Sequence, residues 1–146
     1  MNRSWIPTRR HSCFGLLLLA AIASTVGCGD NRRQGIEGTV TFDGQPVPNG
    51  NISFIPQGDA RGPTAGAVIK DGRFTIDRAR GTFTGTFRVE IVAARETAET
   101  VADPVTGERV SLREQYIPAK YNVQSELTAE IEAGGSNRLK YELTSK

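Results

Sequence analysis

The chain has 146 residues, enough for one domain and not comfortably for two. Its 18 basic and 16 acidic residues nearly cancel, and the lysines and arginines are scattered, which argues against a nucleic-acid surface. The first 28 residues differ from the rest: Arg3, Arg9, Arg10 and His11 precede an apolar stretch, Phe14 to Val26, and no acidic residue occurs among them. A basic start, a short apolar run and small residues at its end define a secretory signal. The run, interrupted by Ser24 and Thr25, is shorter than the roughly 20 residues of a spanning helix, so cleavage is expected rather than a permanent anchor helix.

Cleavage before Cys28 would remove Arg3, Arg9 and Arg10, leaving 15 basic residues against 16 acidic ones. It would also remove Met1, Trp5, His11 and Cys13. The remaining chain would hold no histidine and one cysteine. Histidine general bases, Ser-His or Cys-His nucleophile pairs, His-ligated metals and internal disulfides are then excluded.

Thr25-Val26-Gly27-Cys28 resembles the lipobox of bacterial lipoproteins, with small residues before the cysteine. Thr25 departs from the large aliphatic usual at that position. The resemblance implies a signal peptide over residues 1–27 and a lipid thioether, with acyl chains such as palmitate, on Cys28. Two or three acyl chains hold a protein stably where one is marginal. Ordinary signal cleavage and an uncleaved leader, with Cys28 paired to Cys13, are the alternatives. Thr8-Arg9-Arg10 also hints at twin-arginine export, but His11-Ser12-Cys13 separate the pair from Phe14, which favours a plain basic start. Residues 28–35, rich in Gly, Asp, Asn and Arg, read as a polar tether.

From Ile36 onward alternation of period two dominates. It predicts strands at 36–42, 51–55, 65–70, 73–77, 85–95, 126–132 and 137–144. Asp71-Gly72 suits a two-residue type I′ hairpin turn, setting Lys70 opposite Arg73, Ile69 opposite Phe74 and Ala67 opposite Ile76. Ala133-Gly134-Gly135-Ser136 predicts a second turn that makes the last two strands a hairpin. Residues 96–121 carry no strand signal. Thr97–Ala102 reads as one helical turn or a mobile loop, and Asp103-Pro104-Val105-Thr106-Gly107 as a turn. Seven short strands with Gly-rich turns predict an all-β, antiparallel Greek-key sandwich over residues 36–146.

Gly38 to Pro56, Gly81 to Ile91 and Tyr116 to Asn122 resemble, in order, segments of carboxypeptidase regulatory-like, transthyretin-like β-sandwich domains. The resemblance implies a prealbumin-like fold and a structural, adhesive or carbohydrate-associated module. The purine-pathway hydrolase of that fold needs histidines and a Tyr-Arg-Gly-Ser ending. This chain ends Leu143-Thr144-Ser145-Lys146, which excludes that activity.

The expectation is therefore a lipid-anchored, non-catalytic envelope protein with no cofactor and no metal. Its partners would be the membrane, through lipid, and envelope polysaccharide or envelope proteins. The turn at 43–50 and the loops at 57–64 and 96–115 are the candidate contact surfaces. Tyr116 and Tyr121, flanking Ile117-Pro118, could stack on sugars or proline-rich peptides, although core plugging explains such residues more often. Alternatives are a carboxylate-based hydrolase and a freely secreted adhesive module. Against the first, Glu37, Glu90, Glu130, Glu132 and Glu142 fall at outward strand positions. Asp71 and Asp103 lack calcium-loop spacing, and Lys70, Lys120 and Lys140 carry no signal for an isopeptide. Pro46, Pro48 and outward charges would protect strand edges and favour a monomer.

Overall fold

A computed structural model describes Met1 and residues 32–146. The leader and Cys28 lie outside the described residues. From residue 36 the chain is all-β, with ten strands and one short 3-10 turn. In chain order the strands are β1 (Ile36–Phe42), β2 (Gln45–Pro46), β3 (Asn49–Pro56), β4 (Ala65–Lys70) and β5 (Arg73–Ile76). They continue as β6 (Gly85–Val92), β7 (Ala94–Ala102), β8 (Arg109–Gln115), β9 (Thr128–Ile131) and β10 (Asn137–Leu143). The 3-10 turn spans Ala119–Tyr121.

Eight strands form one sheet in the order β10-β1-β5-β4-β3-β6-β9, with β2 beside β1. Alternation explains its curl. Ile36, Val40, Ile52, Phe54, Phe87, Val89, Ile91, Tyr141 and Leu143 all point inward and are buried. Phe54 meets Phe74 of the facing half at 6.0 Å across the core, and Phe74 packs on Tyr141 of its own half at 6.5 Å. Truncating one of these aromatics to alanine costs about 3–5 kcal/mol in a close-packed interior.

The Asp71-Gly72 turn forms as its sequence predicts, with φ of 49° and 72°. Lys70 faces Arg73 across it. The pairing stops there, because β4 is held by β3 and β5 by β1. Ile69, Phe74 and Ile76 still share the buried face, with Ala67 partly buried beside them. The hairpin thus carries the chain from one half-sheet to the other. Asp43-Gly44 repeats the same turn chemistry between β1 and β2, with φ of 48° and 78°.

Three expectations need correction. The last two strands are not a hairpin: β9 pairs antiparallel with β6, and β10 pairs parallel with β1. The Gly-rich turn is closed instead by Asn137, which bonds both the amide and the carbonyl of Glu132 through its side chain. The long strand expected at 85–95 ends at Val92, and the chain resumes as β7 from Ala94. Residues 94–115 form neither a helical turn nor a loop but a separate two-stranded antiparallel ribbon, β7 with β8. The turn expected at its tip is present. The Asp103 carboxylate accepts hydrogen bonds from the Val105 and Thr106 amides at 2.9 and 2.8 Å, which hold its pKa below the usual carboxylate value.

Close approach dictates glycine at position 38. A Cβ on Gly38 would lie 2.2 Å from the Leu139 carbonyl oxygen and 2.7 Å from the Phe74 ring. Glycine there lets β10 and the Phe74 ring close onto β1.

Candidate functional site

Two ends of the fold are built differently. At the first, residues 32–35 lead into β1. The Gln34 amide donates to the Thr82 carbonyl at 2.6 Å, and its side chain accepts from the Gly134 amide at 3.1 Å. Asn137 reaches the Gly35 carbonyl at 3.2 Å. Gln34 and Thr82 are fully buried there. These bonds pin the chain before β1 begins.

The second end lies about 20 Å away, the length of seven strand residues at roughly 3.3 Å each. There β1 finishes at Phe42 and the ribbon leaves the sheet. The Tyr116 amide donates to the Ala93 carbonyl at 3.1 Å, and the Gln115 side chain accepts from the Ala93 amide at 2.9 Å. These two bonds clamp the base of the ribbon. Beside it lies a crevice of about 490 Å³. Phe42, Pro48 and Tyr116 give it an apolar floor, and Asn49, Arg95, Glu96 and Arg113 its polar rim.

Tyr116 is half-buried there. Its ring meets Phe42 edge-on at 5.5 Å, and the Arg95 guanidinium stands 5.7 Å from its centre. Burial raises the Tyr116 phenol pKa, partly opposed by the Arg95 charge. Tyr121 occupies a different setting. The Lys120 ammonium lies 4.9 Å over its ring. The Thr144 hydroxyl, 3.3 Å from the Tyr121 hydroxyl, and the Thr144 amide, donating at 3.2 Å, lower its pKa. The two tyrosines make no ring contact with each other among the described residues. Tyr116 packs on Phe42 and lines the crevice. Tyr121 closes the sheet end against the C-terminal segment.

The chain matches no known family model, no curated protein and no solved structure.

The outward glutamates are spread across the solvent face as their positions predict. Glu37 pairs with Arg138, Glu90 with Arg88 at 2.8 Å, and Glu142 with Lys140 at 2.9 Å, while Glu130 accepts from the Thr86 hydroxyl at 2.7 Å. Among the described residues no group of three or more His, Cys, Asp or Glu side chains could hold a metal ion. Three lining residues, Phe42, Ala94 and Arg95, fall outside the candidate contact segments of the sequence. Phe42 reads as one more inward strand residue, and Arg95 as the end of a strand. Only the break at Ala93 brings Arg95 over Tyr116.

Proposed function

We propose that this protein is a lipid-anchored, non-catalytic envelope module that presents its ribbon end away from the membrane. In this reading residues 1–27 are a lipoprotein signal and Cys28 carries the lipid. The domain is a transthyretin-like Greek-key sandwich that works as a monomer. One observation carries the reading: the chain before β1 is pinned at Gln34, and the crevice with its half-buried aromatic lies at the far end of β1. An anchor at one end leaves the other facing the envelope. A rigid scaffold that presents a concave, partly apolar site with a few polar groups is the usual form of a binding surface. The Tyr116 face and the Asn49, Arg95 and Arg113 side chains suit a ligand with an apolar face and hydroxyl or acidic groups, as in envelope polysaccharides.

The test is the intact mass of the amino-terminal peptide from membrane-extracted protein. A peptide that begins at Cys28 with added acyl mass, lost in Cys28→Ser, is expected. An unmodified amino terminus after a different cut would overturn the anchor and leave a freely secreted module. A peptide that retains Met1 would overturn cleavage itself.

A further inference from the structure

Beyond its base the ribbon packs on no core. Every residue of β8 is exposed, and in β7 only Ala94 and Thr97 are partly covered. A lone two-stranded ribbon is marginally stable in water and gains from a third strand. Its two free edges differ. Between the Glu96–Arg113 and Thr100–Ser111 pairs, β7 has three residues where β8 has one. This bulge breaks the regular spacing of β7 backbone groups, a known guard against strand addition. By contrast β8 runs seven residues without a bulge or a proline.

Alternation along β8 sorts its side chains. Arg109, Ser111, Arg113 and Gln115 share one face, and Val110, Leu112 and Glu114 the other. Val110 and Leu112 are 44% and 39% exposed, with Val101 beside them at 43%, so this face carries an uncovered aliphatic stripe. On the opposite face Arg109 bonds only the Thr100 hydroxyl, at 3.0 Å, and Arg113 makes no ion pair among the described residues. An added strand would place its side chains beside these two rows, where opposite charges attract, like charges repel and aliphatic pairs stabilise.

We infer that the free edge of β8 takes an extended segment of a partner protein in which carboxylate and aliphatic side chains alternate. The carboxylates lie beside Arg109 and Arg113, the aliphatics beside Val110 and Leu112, and the backbone completes a three-stranded sheet. Strand addition of this kind draws affinity from the main chain and specificity from alternate side chains. The inference rests on the reading of the domain as a binding module. A second copy of the chain fits less well. Its β8, set antiparallel about Ser111, would place Arg109 against Arg113. Its sheet edge at β9 carries outward Glu130 but offers only four residues.

The experiment uses the full chain, nitrogen-15 labelled, in detergent micelles. The probe is an acetylated peptide of four Glu-Val repeats, with a Lys-Val peptide as control. Slowed amide exchange confined to Arg109–Gln115, with Glu-Val but not Lys-Val, is expected. The doubly reversed variant, Arg109→Glu with Arg113→Glu, should bind Glu-Val about tenfold more weakly, as two like-charge contacts imply, and should gain Lys-Val binding. Both side chains are exposed, so an unchanged melting temperature checks its fold. Absence of protection at β8, protection along β7, or equal binding of both peptides would overturn the inference. Protection that appears on raising protein concentration without peptide would also overturn it, in favour of self-association. None of these outcomes alters the amino-terminal mass, so failure of strand addition is distinct from failure of the anchor.

Discussion

Among the described residues the Tyr141 hydroxyl is a buried oxygen without a partner: the residue is 7% exposed, and its hydroxyl makes no hydrogen bond there. Burial removes that group from water and returns nothing, a penalty of about 1–3 kcal/mol. Tyr141→Phe keeps the ring against Phe74 and deletes the oxygen, so it should stabilise the protein by about 1 kcal/mol, read as a higher urea midpoint at unchanged slope. The same burial raises the phenol pKa well above its ordinary 10.0. The folded state therefore resists ionisation that the unfolded chain accepts. The protein's stability is untouched by this titration below pH 10 and falls as pH rises beyond it, by up to about 1.4 kcal/mol per pH unit. Tyr141→Phe should flatten that alkaline decline. An equally steep decline in the variant would assign it elsewhere.

Among the elements, the ribbon and the sheet part company. No residue between 97 and 112 belongs to the buried core. Glu96 and Arg113 face each other directly, so an Asn-Gly turn can replace residues 97–112 without moving either strand base. The shortened protein should melt within a few degrees of the parent, since surface changes away from buried groups shift stability by about 0.5 kcal/mol or less. A large drop would mean that the ribbon supports the sheet. The same contrast explains what the sequence disclosed. Inward-outward alternation marked β1, β4, β5 and β10 within a residue or so of their ends, because each has one face on the core. The ribbon, solvated on both faces, has no such rhythm. Thr97–Ala102 therefore reads as one helical turn or a mobile loop. Strand order was less legible still. Ala133–Ser136 has hairpin chemistry, yet β9 and β10 go to different partners, because inward-facing apolar strands on both sides offer better cover than each other. Tyr116 was legible as a candidate because an aromatic beside proline stands out. Its crevice was not, since it depends on the corner at Ala93.

For the whole molecule, one core serves both half-sheets. Phe74, on β5, touches Phe54 of the facing half and Tyr141 of its own. Along the strand path the halves pair at Lys70 and Arg73, and bonds such as Gln34 to Thr82 and Asn137 to Glu132 join them at one end, so between these points shared packing couples them. Phe74→Ala should cost about 3–5 kcal/mol and still unfold in one step. Tyrosine fluorescence and far-ultraviolet dichroism should give coincident transitions. Two separated transitions would show that the halves fold independently.

The placing of β1 has a mechanical side. It lies between β10, parallel to it over seven residue pairs, and β5, antiparallel over four. A pull on the tether acts along the strand, at right angles to both rows of hydrogen bonds. Those bonds share the load and must slip together, whereas a strand peeled from an edge yields one bond at a time. An anchored domain tugged through its tether would thus resist as a bolt resists shear, and under tension it would fail last where it is held.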